Sequence, residues 1–205
     1  LKRRGSLSES LDAWQKALAL SPESVSALSG LGALKLDQQE YGEARRLLHK
    51  ALALEPGAQE IQGNLILVAL GECKFDEAME IFSKQPELWC LSSLGNEIHG
   101  SILDGLGRGA LLNGEFDKAQ DLIRSALEKN PELSSAWYNL GQALRVHGDW
   151  EAAIEAYEKS ALHTKDGISA QVASWLTLPI LYRSDDEIEQ VRKRFNDGLN
   201  QLVSE

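Results

Sequence analysis

Apolar residues recur along most of the chain at the three- and four-residue spacings that put side chains on one face of a helix. One block reads Leu28-x2-Leu31-Gly32, then Tyr41, Ala44-x3-Leu48, Ala51 and Pro56. A later block reads Leu103-x2-Leu106-Gly107-x2-Ala110, then Gly114-x-Phe116, Ala119-x3-Ile123, Ala126 and Pro131. The next reads Trp137-x2-Leu140-Gly141-x2-Leu144, Gly148-x-Trp150 and Ala153-x3-Tyr157. A sparser copy holds Leu65, Phe75 and Ala78-x3-Phe82, and the chain opens on half a block with Gly5, Leu7, Trp14, Ala17 and Pro22. Each full block predicts two antiparallel helices joined by a short turn. The glycines of the first helix and the alanines of the second allow close approach. The large residue after the turn fills the gap between the helices, and proline ends the second helix because it has no N–H to donate.

The equivalent small residues are Ser10, Ala44, Ala78, Ala119 and Ala153, at steps of 34, 34, 41 and 34 residues. A fixed period of that length marks a repeat array, in which one unit cannot bury its apolar face alone and stacked neighbours supply the core. The period and these signature residues resemble the tetratricopeptide repeat over residues 1–166. The resemblance implies an all-α fold, a right-handed superhelical solenoid of helix-turn-helix repeats. Its units would be a half unit at 1–24 and full units at 25–58, 59–99, 100–133 and 134–166. Residues 167–205 would form capping and connector helices. The 41-residue step holds seven extra residues between Gln85 and Gly100, read as an elongated first helix in the following unit or an extra turn before it, with Trp89 and Leu91 either capping the groove or packing against the neighbouring pair.

After Lys165 the register stops. Residues 168–178 predict one more helix, with Val172, Trp175 and Leu176 facing inward. Ser184 through Glu187 form a capping box that opens a last helix, whose apolar stripe of Ile188, Val191, Phe195, Leu199 and Leu202 predicts docking on a neighbour. The residues Leu178-Pro179-Ile180-x-Tyr182, Ser184, Glu187-Ile188, Arg192-x-Arg194-Phe195 and Gly198-Leu199-x2-Leu202 resemble the connector between repeats and catalytic part in the SPINDLY / O-linked N-acetylglucosamine transferase family. That resemblance implies a longer parent protein with a glycosyltransferase part. The start at Leu1, mid-repeat and without methionine, predicts a piece of a longer protein.

The formal net charge is −10, from 21 basic and 31 acidic residues. Such a field repels phosphate backbones and anionic membrane surfaces, so neither nucleic acid nor membrane is an expected partner, and basic or neutral polypeptides are. Cys73 and Cys90 are outside any CxxC pair, and no His/Cys cluster has zinc spacing. Two buried, reduced thiols in a cytoplasmic protein are expected. No apolar run reaches the ~18 residues of a membrane helix. Gly105-x-Gly107-x-Gly109 falls inside a repeat helix with no strand before it, which argues against a phosphate loop. The histidines, His49, His99, His147 and His163, have no ligand spacing. The chain therefore shows no catalytic residues, no metal site and no cofactor site, and whether the parent is an enzyme stays open.

In a solenoid of this kind the first helices line the concave face. Their inward positions are Tyr138, Asn139, Gln142 and Arg145 in the last unit, and Asp104, Gly105, Arg108 and Leu111 in the one before. In the transferase family, asparagines at one repeat position grip peptide backbone. Asn64 and Asn139 hold that position here, while Gly30 and Gly105 replace the others. The candidate peptide-binding set is Asn64, Arg108, Tyr138, Asn139, Gln142 and Arg145. Amides suit backbone and guanidinium groups suit acidic side chains, unless the arginines pair with Asp104 or surface acids. The expected function is a protein-interaction module binding an extended polypeptide, as the recognition region of a larger O-glycosyltransferase-like protein. The alternatives are a stand-alone scaffold or adaptor and a chaperone-type carboxylate clamp. Oligomeric state cannot be read from the residues.

Overall fold

The computed structural model describes residues 2–84, 93–165 and 167–204. Among the described residues all regular structure is helical. The helices are α1 (Lys2–Leu20), α2 (Val25–Asp37), α3 (Tyr41–Leu54), α4 (Gln59–Gly71), α5 (Phe75–Ser83), α6 (Ser93–Leu112), α7 (Phe116–Lys129), α8 (Ser134–Val146), α9 (Trp150–Leu162), α10 (Ile168–Leu176) and α11 (Asp185–Ser204). They fall into two compact units, residues 1–91 and 92–205.

The punctuation works as the residues require. Helices α1, α3 and α7 stop at Leu20, Leu54 and Lys129, two residues ahead of Pro22, Pro56 and Pro131. Helices α3, α5, α7 and α9 each begin on the large aromatic that follows the turn: Tyr41, Phe75, Phe116 and Trp150. Ala44, Ala78, Ala119 and Ala153 are fully buried. A Cβ on Gly32 would lie 2.8 Å from Leu48 Cγ, and one on Gly107 would lie 2.6 Å from Ile123 Cγ1. The small residues thus mark where two helices touch, which the 34-residue register predicts.

In the N-terminal unit, Leu28, Leu31, Leu47, Leu48, Ile61, Leu65 and Val68 build the core between α2, α3 and α4, with Trp14 of α1 packed against it. Arg45 of α3 ties this stack to the next hairpin. It donates to Glu72 at 2.6 Å and also pairs with Glu77, and the two carboxylates raise its pKa above the usual arginine value.

The C-terminal unit begins with α6. Its 20 residues compare with 13 in α2, α4 and α8, so the seven extra residues of the sequence lengthen the first helix of this repeat. Trp89 and Leu91 lie outside the described residues. Helices α6 and α7 pair, α8 stacks on both, α9 pairs with α8, and α10 packs on α9.

Two expectations about this end need correction. Helix α10 buries Ala170 and Ser174, not Leu176, which is 50% exposed. Short side chains face the core there because α10 lies close against α9. The last helix does dock, but along a narrower line than the stripe suggests. Val191 is buried and Gly198 meets the Trp175 ring, whereas Ile188, Leu199 and Leu202 are about two-fifths exposed. The capping box forms: Glu187 N–H donates to Ser184 Oγ at 3.2 Å, and the Glu187 carboxylate reaches back to the Arg183 N–H. Arg194 donates to the Thr177 carbonyl and stands 5.7 Å from the Trp150 ring centre, which adds a polar tie to the docking line.

A side chain at position 198 would overlap Trp175, so Gly198→Leu is expected to open this contact at a cost of about 1–3 kcal/mol. Limited proteolysis should then cut residues 183–204 faster while the melting of the remaining helices stays unchanged. An unaltered cleavage rate would show that α11 is not held through Gly198.

A third correction concerns Cys73, while Cys90 lies outside the described residues. Cys73 is exposed, at φ 57°, on the turn between α4 and α5. The repeat register puts position 73 in the inter-helix turn, where the chain needs a left-handed residue and leaves its side chain in solvent.

Candidate functional site: a polar cleft in the C-terminal unit

Residues four apart on a helix share a face, and so do residues three and seven apart. On α6 this aligns Asp104 with Arg108. On α8 it aligns Ser135, Tyr138, Asn139 and Gln142. Because α8 stacks on α6, the two rows meet along a cleft of about 820 Å3. Ser160 and His163 at the end of α9, and Ser169 and Ala170 of α10, complete its wall.

The floor is a hydrogen-bonded group. Asp104 is buried, and its Oδ2 accepts from Ser135 Oγ at 2.7 Å while its Oδ1 accepts from Asn139 Nδ2 at 2.8 Å. Asn139 is itself 7% exposed. Its amide N–H is therefore turned toward α6, and its role in the cleft is to hold Asp104 in place. A second polar tie closes the back wall. Ser134 Oγ donates to the Ser160 carbonyl and Ser160 Oγ donates to the Ser134 carbonyl, both at 2.9 Å.

Tyr138 is half-buried and leans on Tyr157, with ring centres 5.4 Å apart. Gln142 is half-buried and Arg108 exposed. Arg145 lies one turn further along α8, in an adjoining pocket of about 150 Å3 shared with Tyr138, Gln142 and Tyr157. Burial pushes the Tyr157 phenol above its ordinary pKa, and the charge of the nearby Arg145 guanidinium pulls it back in part. Of the six sequence-derived candidates, four line the cleft, Arg145 stands beside it, and Asn64 is half-buried on α4 of the N-terminal unit.

Asp104, Ser135 and Ser160 are among the cleft residues that the candidate set left out. The separation of 35 between Asp104 and Asn139 is one repeat plus one residue. The register itself matches Asn139 with Gly105, so the bond to Asp104, one residue off that match, is not read from the repeat period.

Tetratricopeptide-repeat models match residues 35–88 and 105–167, which together take in more than half of the chain. The chain is a tetratricopeptide-repeat protein. Among solved structures, this repeat chain is similar to Pseudomonas aeruginosa PilF, at 17% identity over 98% of this chain and 84% of that one, with a TM-score of 0.65. It is also similar to YrrB, described as a tetratricopeptide protein with an unusual peptide-binding site, at 17% identity over 95% and 92%, with a TM-score of 0.56. Both likenesses show the fold. Among curated proteins it is 25% identical to the human protein O-mannosyl-transferase TMTC1 over 178 residues, 72% of this chain and 20% of that one. The curated relatives matched over most of this repeat chain are far longer than it, and it spans 14% to 32% of their lengths.

Among the described residues no helix is long and apolar enough to cross a membrane.

Proposed function

We propose that this chain is a polypeptide-binding module and that the C-terminal unit's cleft holds an extended segment of a partner protein. The observation that carries this reading is the gathering of Arg108, Tyr138, Asn139 and Gln142 around one open cleft. An aromatic face, a side-chain amide, hydroxyls and a carboxylate offer both donors and acceptors, which suits a main chain that must satisfy its N–H and C=O groups. Tyr138 and Gln142 make the direct contacts, Asn139 orients Asp104, and Arg108 stands at the mouth. Arg145 shapes the neighbouring pocket through Tyr157. Asn64 offers a further amide in the N-terminal unit.

The likeness to a protein O-mannosyl-transferase supports the recognition region of a longer O-glycosyltransferase-like protein as the setting for this module. A carboxylate clamp is the weaker reading, because Arg108 lines the cleft whereas Arg145 stands in the adjoining pocket.

The test is selection of random displayed peptides on the immobilised chain, followed by affinity measurement. Micromolar-class binders are expected, weakened about tenfold or more by Tyr138→Ala with Gln142→Ala. These two are chosen over Asn139 because neither is the hydrogen-bond support of Asp104. Unchanged affinity with intact helicity would remove the cleft from consideration.

A further inference from the structure

We propose that Asp104 is a cation-recognition point, taking the guanidinium or ammonium of a basic side chain in the bound polypeptide; this rests on the polypeptide-binding reading of the cleft. Asp104 is 7% exposed, yet it lines an open cleft. Both of its hydrogen-bond donors, the Ser135 hydroxyl at 2.7 Å and the Asn139 amide at 2.8 Å, are neutral. Neutral donors orient a buried carboxylate and leave its charge uncompensated, and a charged donor is the partner that stabilises it most. Each oxygen accepts one bond from α8, while an ionised carboxylate offers about four lone-pair sites. One position remains on each oxygen, which an arginine fork would take together.

The surrounding charge agrees. Glu132 lines the same cleft, and the net charge of −10 draws a basic peptide in rather than an acidic one. Arg108, one turn along α6, carries the opposing charge on an exposed side chain, where water and salt screen it. The preference for acidic ligands expected from Arg108 and Arg145 thus gives way. Arg145 stands in the adjoining pocket beside Tyr157, and the buried charge of the cleft is negative.

Asp104→Asn isolates the charge. The asparagine oxygen can accept from Asn139 while its amide donates to Ser135 Oγ, so both hydrogen bonds survive. Peptides selected from a random library on the native chain are expected to share a basic residue at one position. Each would be synthesised with arginine, lysine or the neutral citrulline there, and with a free or acetylated N-terminus.

On the native chain citrulline should weaken binding about 10- to 100-fold. On Asp104→Asn the arginine and citrulline forms should bind alike. The citrulline comparison uses the native chain, so it stands even if the variant folds poorly. Equal binding of the arginine and citrulline forms on the native chain would overturn the proposal. If Tyr138→Ala with Gln142→Ala still weakened both, the cleft reading would survive it. Loss caused wholly by acetylation would move the cation to the terminal amine and overturn the side-chain assignment. Failure to select any peptide, or indifference to the Tyr138 and Gln142 substitutions, would overturn both readings.

Discussion

Ile123→Ala is expected to lower the unfolding free energy of the C-terminal unit by about 2–5 kcal/mol, read from urea denaturation followed by helical circular dichroism. Ile123 has no exposed surface, and it fills the space between α6 and α7 opposite Gly107. Gly107→Ala alone should also destabilise, by about 1–3 kcal/mol, because its new methyl would stand 2.6 Å from Ile123 Cγ1. A shift of the Ile123 side chain alone does not clear the site, since the backbone carbonyl of Ala119, on the same helix, stands 3.3 Å from the same point. Combined, the two changes should cost less than their sum, because the cavity left by the isoleucine receives the methyl. Strict additivity would show that these two helices do not meet at Gly107 and would undo the packing account of the small-residue register.

Tyr157→Ala is expected to cost about 3–5 kcal/mol, whereas Tyr157→Phe should cost about 0.5–1.5 kcal/mol. The ring is 2% exposed, lies against Gly141, and supports Tyr138 across 5.4 Å. The hydroxyl adds its interaction with the nearby Arg145 guanidinium. Thermal or urea unfolding of both variants separates the two contributions, and a phenylalanine variant as unstable as the alanine one would give the hydroxyl the larger share. The same pair reports on the cleft. Removing the ring takes away the support of Tyr138, so selected peptides should bind the folded alanine variant more weakly and the phenylalanine variant almost as the native chain.

The repeat architecture was legible in the residues because each unit is a local structure. Ala44, Ala78, Ala119 and Ala153 each sit at the same contact between two consecutive helices, so a 34-residue step fixes helix length, turn and packing partner together. The longer α6 followed from counting seven extra residues, and α11 from the Ser184 to Glu187 capping box.

The site was half legible for the converse reason. Periodicity says which side chains share a face, and so it placed Arg108, Tyr138, Asn139 and Gln142 around one cleft. It does not say which of them spend their hydrogen bonds on one another. Asn139 was read as a ligand contact and is engaged by Asp104, and Arg145 lies in the neighbouring pocket beside Tyr157. The exposed edge of α11 is a similar case: Ile188 and Leu199 belong to its apolar stripe, but Val191 and Gly198 are the residues that meet the neighbour.

The order of residues along this chain therefore sets its helices, their pairing and the face each presents, because those depend on contacts within about one repeat length. The charge and donor pattern of the cleft depend on how one inner helix settles beside the next. That is a matter of side-chain distances of 2.7–2.8 Å across the stack, and the three-dimensional packing alone makes the buried carboxylate of Asp104 its centre.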